Sequence, residues 1–160
     1  MNISDIKVYL YLAVAAALQL TILHIIELDG VLPILWIIVL FYFTLQNGRL
    51  WGIVTAAIFG FVYDLVSGGT IGSTMFSGAL AIYIGGLFTG EQKNDRILHS
   101  YSFITIILLI ASVFSIVLSL LTNLDIRSSL ATLLFKQGLF PGLYTAAFAS
   151  FVVIVAIRKN

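Results

Sequence analysis

The side chains of this chain that could do chemistry are few and scattered. Tyr63-Asp64 sits inside an apolar segment and is followed by Ser67-Gly68-Gly69-Thr70, Ile71-Gly72 and Ser73; His24 and His99 are the two histidines, and there is no cysteine. An aspartate in an apolar helix suggests intramembrane acid–base hydrolysis, but that chemistry needs a second carboxylate in the same buried site, and none is available. A serine hydrolase at Ser67 or Ser73 would need an ordered base, and neither histidine is near in sequence. The glycine-rich stretch lacks the Gly-Lys-Ser/Thr that completes a phosphate-binding loop. Zinc wants three or four convergent ligands, which two isolated histidines do not supply. No catalytic residue, metal or cofactor is expected, so Asp64 and its glycines call for a structural explanation.

The elements that carry these residues follow from composition. Of 160 residues, 61% are hydrophobic and 9% charged, and the mean hydropathy is +1.12. A soluble domain carries about 25% charged residues, so the medium for this chain is the bilayer. A formal charge of +1 leaves no basic surface for nucleic acid. With about 20 apolar residues per span, the length holds six membrane helices and no soluble domain. The expected fold is an all-α six-transmembrane-helix bundle forming one domain, with spans at about 6–26, 31–45, 50–66, 74–89, 101–122 and 139–157. Glu27, Asp29 and Gly30 separate the first two runs, and Pro33 is expected in the first turn of the second helix. The polar stretch from Glu91 to Ser100 is an aqueous loop.

Lys and Arg in short loops stay cytoplasmic. Lys7, Arg49, Lys93, Arg96, Arg158 and Lys159 fall on one side and only Arg127 and Lys136 on the other, which places both termini inside. Ile126, Leu130, Leu133 and Leu134 share one helical face, so about 124–137 is expected as an outer interfacial helix, resting on headgroups or docking a partner.

Helices in lipid associate through close backbone approach and polar contacts. Gly48, Gly52, Ala56, Gly60, Asp64 and Gly68 recur every fourth residue through the third span, facing Ser77, Ala81 and Gly85, then Gly86 and Gly90, of the fourth; a tight hairpin is expected. Shorter rows are Gly138, Gly142, Ala146 and Ser150 in the sixth span and Ala13 and Ala17 in the first. These rows serve packing within the chain or a seam between molecules. A charge facing lipid at the bilayer centre costs about 2.5–3.5 kcal/mol, so Asp64 must face protein or water. It either organises the turn through the N–H groups of Ser67, Gly68 and Gly69, forms a solute or proton site, or reaches headgroup water. Arg49, about 22 Å away along the helix, is no partner for it. Gln19, Thr21 and His24 add polarity to the first span, where hydrogen bonds between helices are the preferred reading.

The ordered set Asn47-Gly48-Arg49-Leu50-Trp51-Gly52, then Ile58-Phe59-Gly60-Phe61-Val62-Tyr63-Asp64-Leu65-Val66-Ser67-Gly68-Gly69 and Ile71-Gly72, resembles the rod shape-determining MreD family. The family pattern maps onto Arg49, Gly52, Gly60, Asp64, Leu65, Ser67, Gly68 and Gly72, with Gly69 in the same loop, and Gln19 before Thr21 resembles the Gln-Ser/Thr of its first helix. Members often carry Pro-Asp at the start of the second span, whereas here Ile34 follows Pro33, so any role of that acid does not transfer.

The resemblance implies a non-catalytic scaffold of the bacterial cell-elongation complex, in the cytoplasmic membrane and in contact with membrane lipid. It implies binding to MreC and, within the same complex, to MreB, RodA and a class B penicillin-binding protein; a homodimer is open. Arg49, Gly52, Gly60, Asp64, Ser67, Gly68, Gly69, Gly72 and Gln19 are the structural and partner-binding candidates. The family is also similar in fold to the substrate-binding subunits of energy-coupling-factor transporters, and Ala13 and Ala17 resemble the Ala-x-x-x-Ala of those subunits. The alternative function is therefore solute binding for a vitamin-type transporter.

Overall fold

The computed structural model describes residues 3–21, 33–90, 101–122, 135 and 138–157. Among these are six α-helices and no strand: α1 (Ile3–Thr21), α2 (Leu35–Asn47), α3 (Arg49–Ser67), α4 (Ser73–Gly86), α5 (Tyr101–Thr122) and α6 (Phe140–Ile157). Two described segments, Arg49–Ser67 and Ser102–Thr122, are long and apolar enough to cross a membrane. The interfacial helix expected over 124–137, the loop from Glu91 to Ser100, and His24, Glu27, Asp29, Arg158 and Lys159 lie outside the described residues, apart from Phe135, which is exposed.

Central to the bundle is α2. Trp36, Ile37, Ile38, Leu40, Phe41, Phe43, Thr44 and Leu45 are all buried, as expected of a helix that is apolar on every side and enclosed by neighbours. It touches α1, α3, α4, α5 and α6, while the outer helices pack in chain order, α3 on α4, α4 on α5 and α5 on α6. Trp36 anchors this centre. Its ring lies 5.2 Å from Phe59 of α3 and 5.0 Å, edge-on, from Phe114 of α5, and it fills the space left by the missing side chain of Gly78 on α4.

Pro33 is not in the first turn of α2; the helix begins two residues later, at Leu35. The cap residue Ile34 has no capping side chain of its own, and its N–H donates instead to the buried Thr145 hydroxyl of α6 at 3.0 Å. Thr145 in turn donates to the Pro141 carbonyl. An apolar residue at a buried helix start thus leaves a donor that a distant helix must accept.

α3 stands at the edge of the bundle. Its buried residues are Gly52, Thr55, Ala56, Gly60 and Asp64, while Leu50, Trp51 and Val66 are 79%, 65% and 68% exposed. A helix with its small residues inward and its large apolar ones outward suits a lipid medium, where close packing rather than apolar burial holds helices together.

Candidate functional site

The turn between α3 and α4 gathers most of the residues singled out in the sequence. Gly68 ends α3 in the left-handed conformation (φ 68°, ψ 17°), and Gly72, at φ 92°, caps α4 in a left-handed conformation as well. Both positions favour glycine because a Cβ there meets its own backbone. A glycine cap, however, has no side chain with which to accept the free N–H groups of the helix it starts.

Asp64 supplies the acceptor from the other helix. The N–H groups of Gly72 (2.8 Å), Thr74 (3.1 Å) and Met75 (3.4 Å) all donate to Oδ2, and that of Thr74 also donates to Oδ1 (3.2 Å). The carboxylate is 1% exposed. Its partners are therefore the first turn of α4 and its cap, not the N–H groups of Ser67, Gly68 and Gly69. A carboxylate here meets both unpaired donors and the positive end of the α4 dipole, so its negative charge is compensated without a cation. Ser67 and Ser73 complete the turn locally: the Ser67 hydroxyl donates to the Asp64 carbonyl (3.4 Å) and the Ser73 hydroxyl to that of Thr70 (2.7 Å).

Gly60 makes this reach possible. A Cβ at Gly60 would lie 2.6 Å from Met75 Cα and 2.7 Å from Met75 N, which are backbone atoms with no freedom to move aside. One turn after this contact, Asp64 is level with the start of α4. Lower down the hairpin, Ala56 and Ala81 are fully buried, and the Arg49 stem crosses α4 over Gly86, where an added Cβ would meet its Cγ at 2.6 Å. The Arg49 guanidinium ends over the Tyr83 ring, 4.1 Å from its centroid, in a cation–π contact.

The other candidates are dispersed. Gly52 belongs to the α2–α3 contact, its missing side chain occupied by Thr44. Gly69 keeps an ordinary distance from its neighbours, the nearest atom to an added Cβ being Ser67 Oγ at 3.6 Å. Gln19, on α1, is buried, and its Oε1 has no hydrogen-bond partner among the described residues. Among those residues no group of three or more His, Cys, Asp or Glu could hold a metal ion.

Sequence reasoning missed Tyr83 and Thr145. The register of the hairpin accounts for Tyr83, since eleven residues from the Gly60–Met75 contact lead to Arg49 on α3 and to Gly86, one turn past Tyr83, on α4. For Thr145 the sequence holds no signal, because its partner lies 111 positions away.

The arrangement uses its charges to hold helices together, and a comparison of the whole chain with protein families agrees with a structural role. The model of the rod shape-determining protein MreD matches residues 4–159. The chain belongs to the MreD family. The family is one of membrane-associated, shape-determining proteins and is not a known enzyme family. No curated protein and no solved structure matches the chain significantly. In this chain, the segment that carries the family pattern, Gly48 to Gly72, is the one that forms α3 and the capped turn.

Proposed function

We propose that this member of the MreD family is a non-catalytic scaffold of the cell-elongation complex that binds MreC in the cytoplasmic membrane and, through it, joins MreB, RodA and a class B penicillin-binding protein. In this reading the six helices form a six-span bundle of the energy-coupling-factor type, with both termini cytoplasmic and the Asp64 turn outside. The observation that carries the reading is the Asp64 carboxylate: among the described residues it is buried against backbone N–H groups alone, so it fixes the α3–α4 angle and has no open face for a substrate. A scaffold needs a rigid face, and the hairpin supplies one, held by Asp64 at one end and by Arg49 over Tyr83 at the other.

The test is detergent extraction and co-purification with tagged MreC. Gly60→Val should reduce MreC capture strongly, Gly68→Val less, and His24→Ala least, because the first drives two backbones apart and the second strains one residue. Equal loss in all three, or none, rejects the hairpin as the organising element. Solute binding keeps one observation in its favour, the Gln19 Oε1, which has no hydrogen-bond partner among the described residues. A saturable thermal shift with a vitamin-type solute, abolished by Gln19→Leu, would favour it.

A further inference from the structure

α1 packs chiefly on α2, and α3 on α4 and α2, so α1 and α3 stand apart across a half-open groove of about 390 Å³. Ala13 and Ala17 form one lip; α3 from Thr55 to Val66 forms the other, with Phe59 and Tyr63 as its floor. Apart from the Thr55 hydroxyl and the Tyr63 phenol, the walls are hydrocarbon.

We propose that this groove holds one acyl chain of a membrane phospholipid, lying along α3. This rests on α3 spanning the bilayer, as proposed above. The dimensions select the occupant. Thr55 to Val66 is about 16 Å of helix at 1.5 Å per residue, so the space open to atom centres averages about 24 Å² in section, and with a water radius added on each side the walls stand roughly 8 Å apart. A helix with its side chains is about 10–12 Å wide and cannot enter. A single hydrocarbon chain, with carbon contacts at about 3.5–4.0 Å, fills such a slot. The extent argues the same way: ten residues line the groove, whereas a stable protein interface takes about 20–30 residues a side. An empty slot beside lipid would leave Phe59 and the alanines without contacts on one side, and an acyl chain restores them. The small side chains at Ala13 and Ala17 leave the space that the chain occupies; leucine at either position fills it.

The two tryptophans report on the proposal separately. Trp51 is 65% exposed on α3, whereas Trp36 is 1% exposed and lies behind the groove floor, 5.2 Å from the Phe59 ring and 6.4 Å from that of Tyr63. The full chain is reconstituted into phosphatidylcholine vesicles whose acyl chains are brominated at mid-chain, bromine being a short-range quencher of indole emission. Trp36 is read in Trp51→Phe, and Trp51 by difference from the parent. Both emissions should fall, and Ala13→Leu and Ala17→Leu should each restore that of Trp36 while leaving Trp51 quenched. Trp36 emission that does not fall, or that either leucine fails to restore, overturns the proposal. If Trp51 also escapes quenching, α3 is not in the bilayer, and the spanning reading falls with it. If Trp36 is unquenched and both leucine variants lose MreC capture, the groove belongs to a partner's side chains and not to lipid.

Discussion

Removing the Asp64 carboxylate should loosen the start of α4 by an amount that the geometry sets. Oδ2 accepts from Gly72, Thr74 and Met75, so Asp64→Ala strips three buried or half-buried donors of their acceptor at once. Loss of a helix cap costs about 0.5–2 kcal/mol, and loss of a partly buried charge at a helix end up to about 2 kcal/mol. Together these give about 3 kcal/mol, allowing for water reaching the turn after substitution. Asp64→Asn is milder: its carbonyl can keep the Oδ2 position, but the bonds lose their charge, and its amide group then faces the Thr74 N–H that Oδ1 accepted at 3.2 Å. About 1.5 kcal/mol is expected. Hydrogen exchange on the detergent-solubilised protein resolves the two, since each 1.36 kcal/mol is a factor of ten. Thr74 and Met75 amides should exchange about 100-fold faster in Asp64→Ala and about tenfold faster in Asp64→Asn, with the α5 interior unchanged. Equal rates in the two variants, or acceleration below about threefold in Asp64→Ala, would refute the trans-capping argument.

Three further pairs of substitutions test the packing. Gly60→Ala should cost about 1–3 kcal/mol in thermal or denaturant unfolding, because its Cβ meets backbone, while Gly85→Ala should cost less, because its Cβ meets the side chains of Ile110 and Phe41 and not backbone; the reverse order would show that the α3–α4 separation is not fixed by Gly60. Arg49→Gln should lose about 0.5–1 kcal/mol, and Tyr83→Leu should remove the same increment without adding to it in the double variant; additive losses would deny the cation–π contact. Thr145→Val keeps the shape but not the acceptor for the Ile34 N–H and should cost about 1–3 kcal/mol, whereas Thr145→Ser should remain near parental stability; equal behaviour would place the effect in packing.

The positions of the six helices were legible because each coincides with an apolar run, and the α3–α4 hairpin was legible because small residues recur every fourth position on both helices. The stripe did not reveal that its members serve different neighbours. Four residues advance a helix by slightly more than one turn, so from Gly52 to Gly60 the stripe rotates by about 80°, enough to pass from Thr44 of α2 to Met75 of α4. Asp64 was marked as a turn organiser, but its donors were misplaced by several residues. The path from Ser67 to Ser73 depends on two left-handed glycines, and the sequence does not say how far such a turn carries the chain before the next helix begins. The Trp36 cluster draws on four helices at once, which no local pattern encodes.

Asp64 and Thr145 answer one physical problem. α2 has 13 residues and α4 has 14, about 20 Å each, short of the roughly 30 Å of bilayer hydrocarbon, whereas α3 has 19 and α5 has 22. The start of α4 is recessed beside Gly60 and Asp64, below the end of α3, and the start of α2 is buried against α6. In the membrane reading such recessed starts expose N–H groups where no water is at hand, and each unsatisfied group costs several kcal/mol. Neither cap residue can help, since Gly72 has no side chain and that of Ile34 is apolar. A longer neighbour must therefore carry the acceptor: a charged one from α3 for the three donors at α4, and a neutral hydroxyl from α6 for the single N–H at Ile34. This fixes why a carboxylate is tolerated at position 64 and why asparagine there should be only a partial substitute.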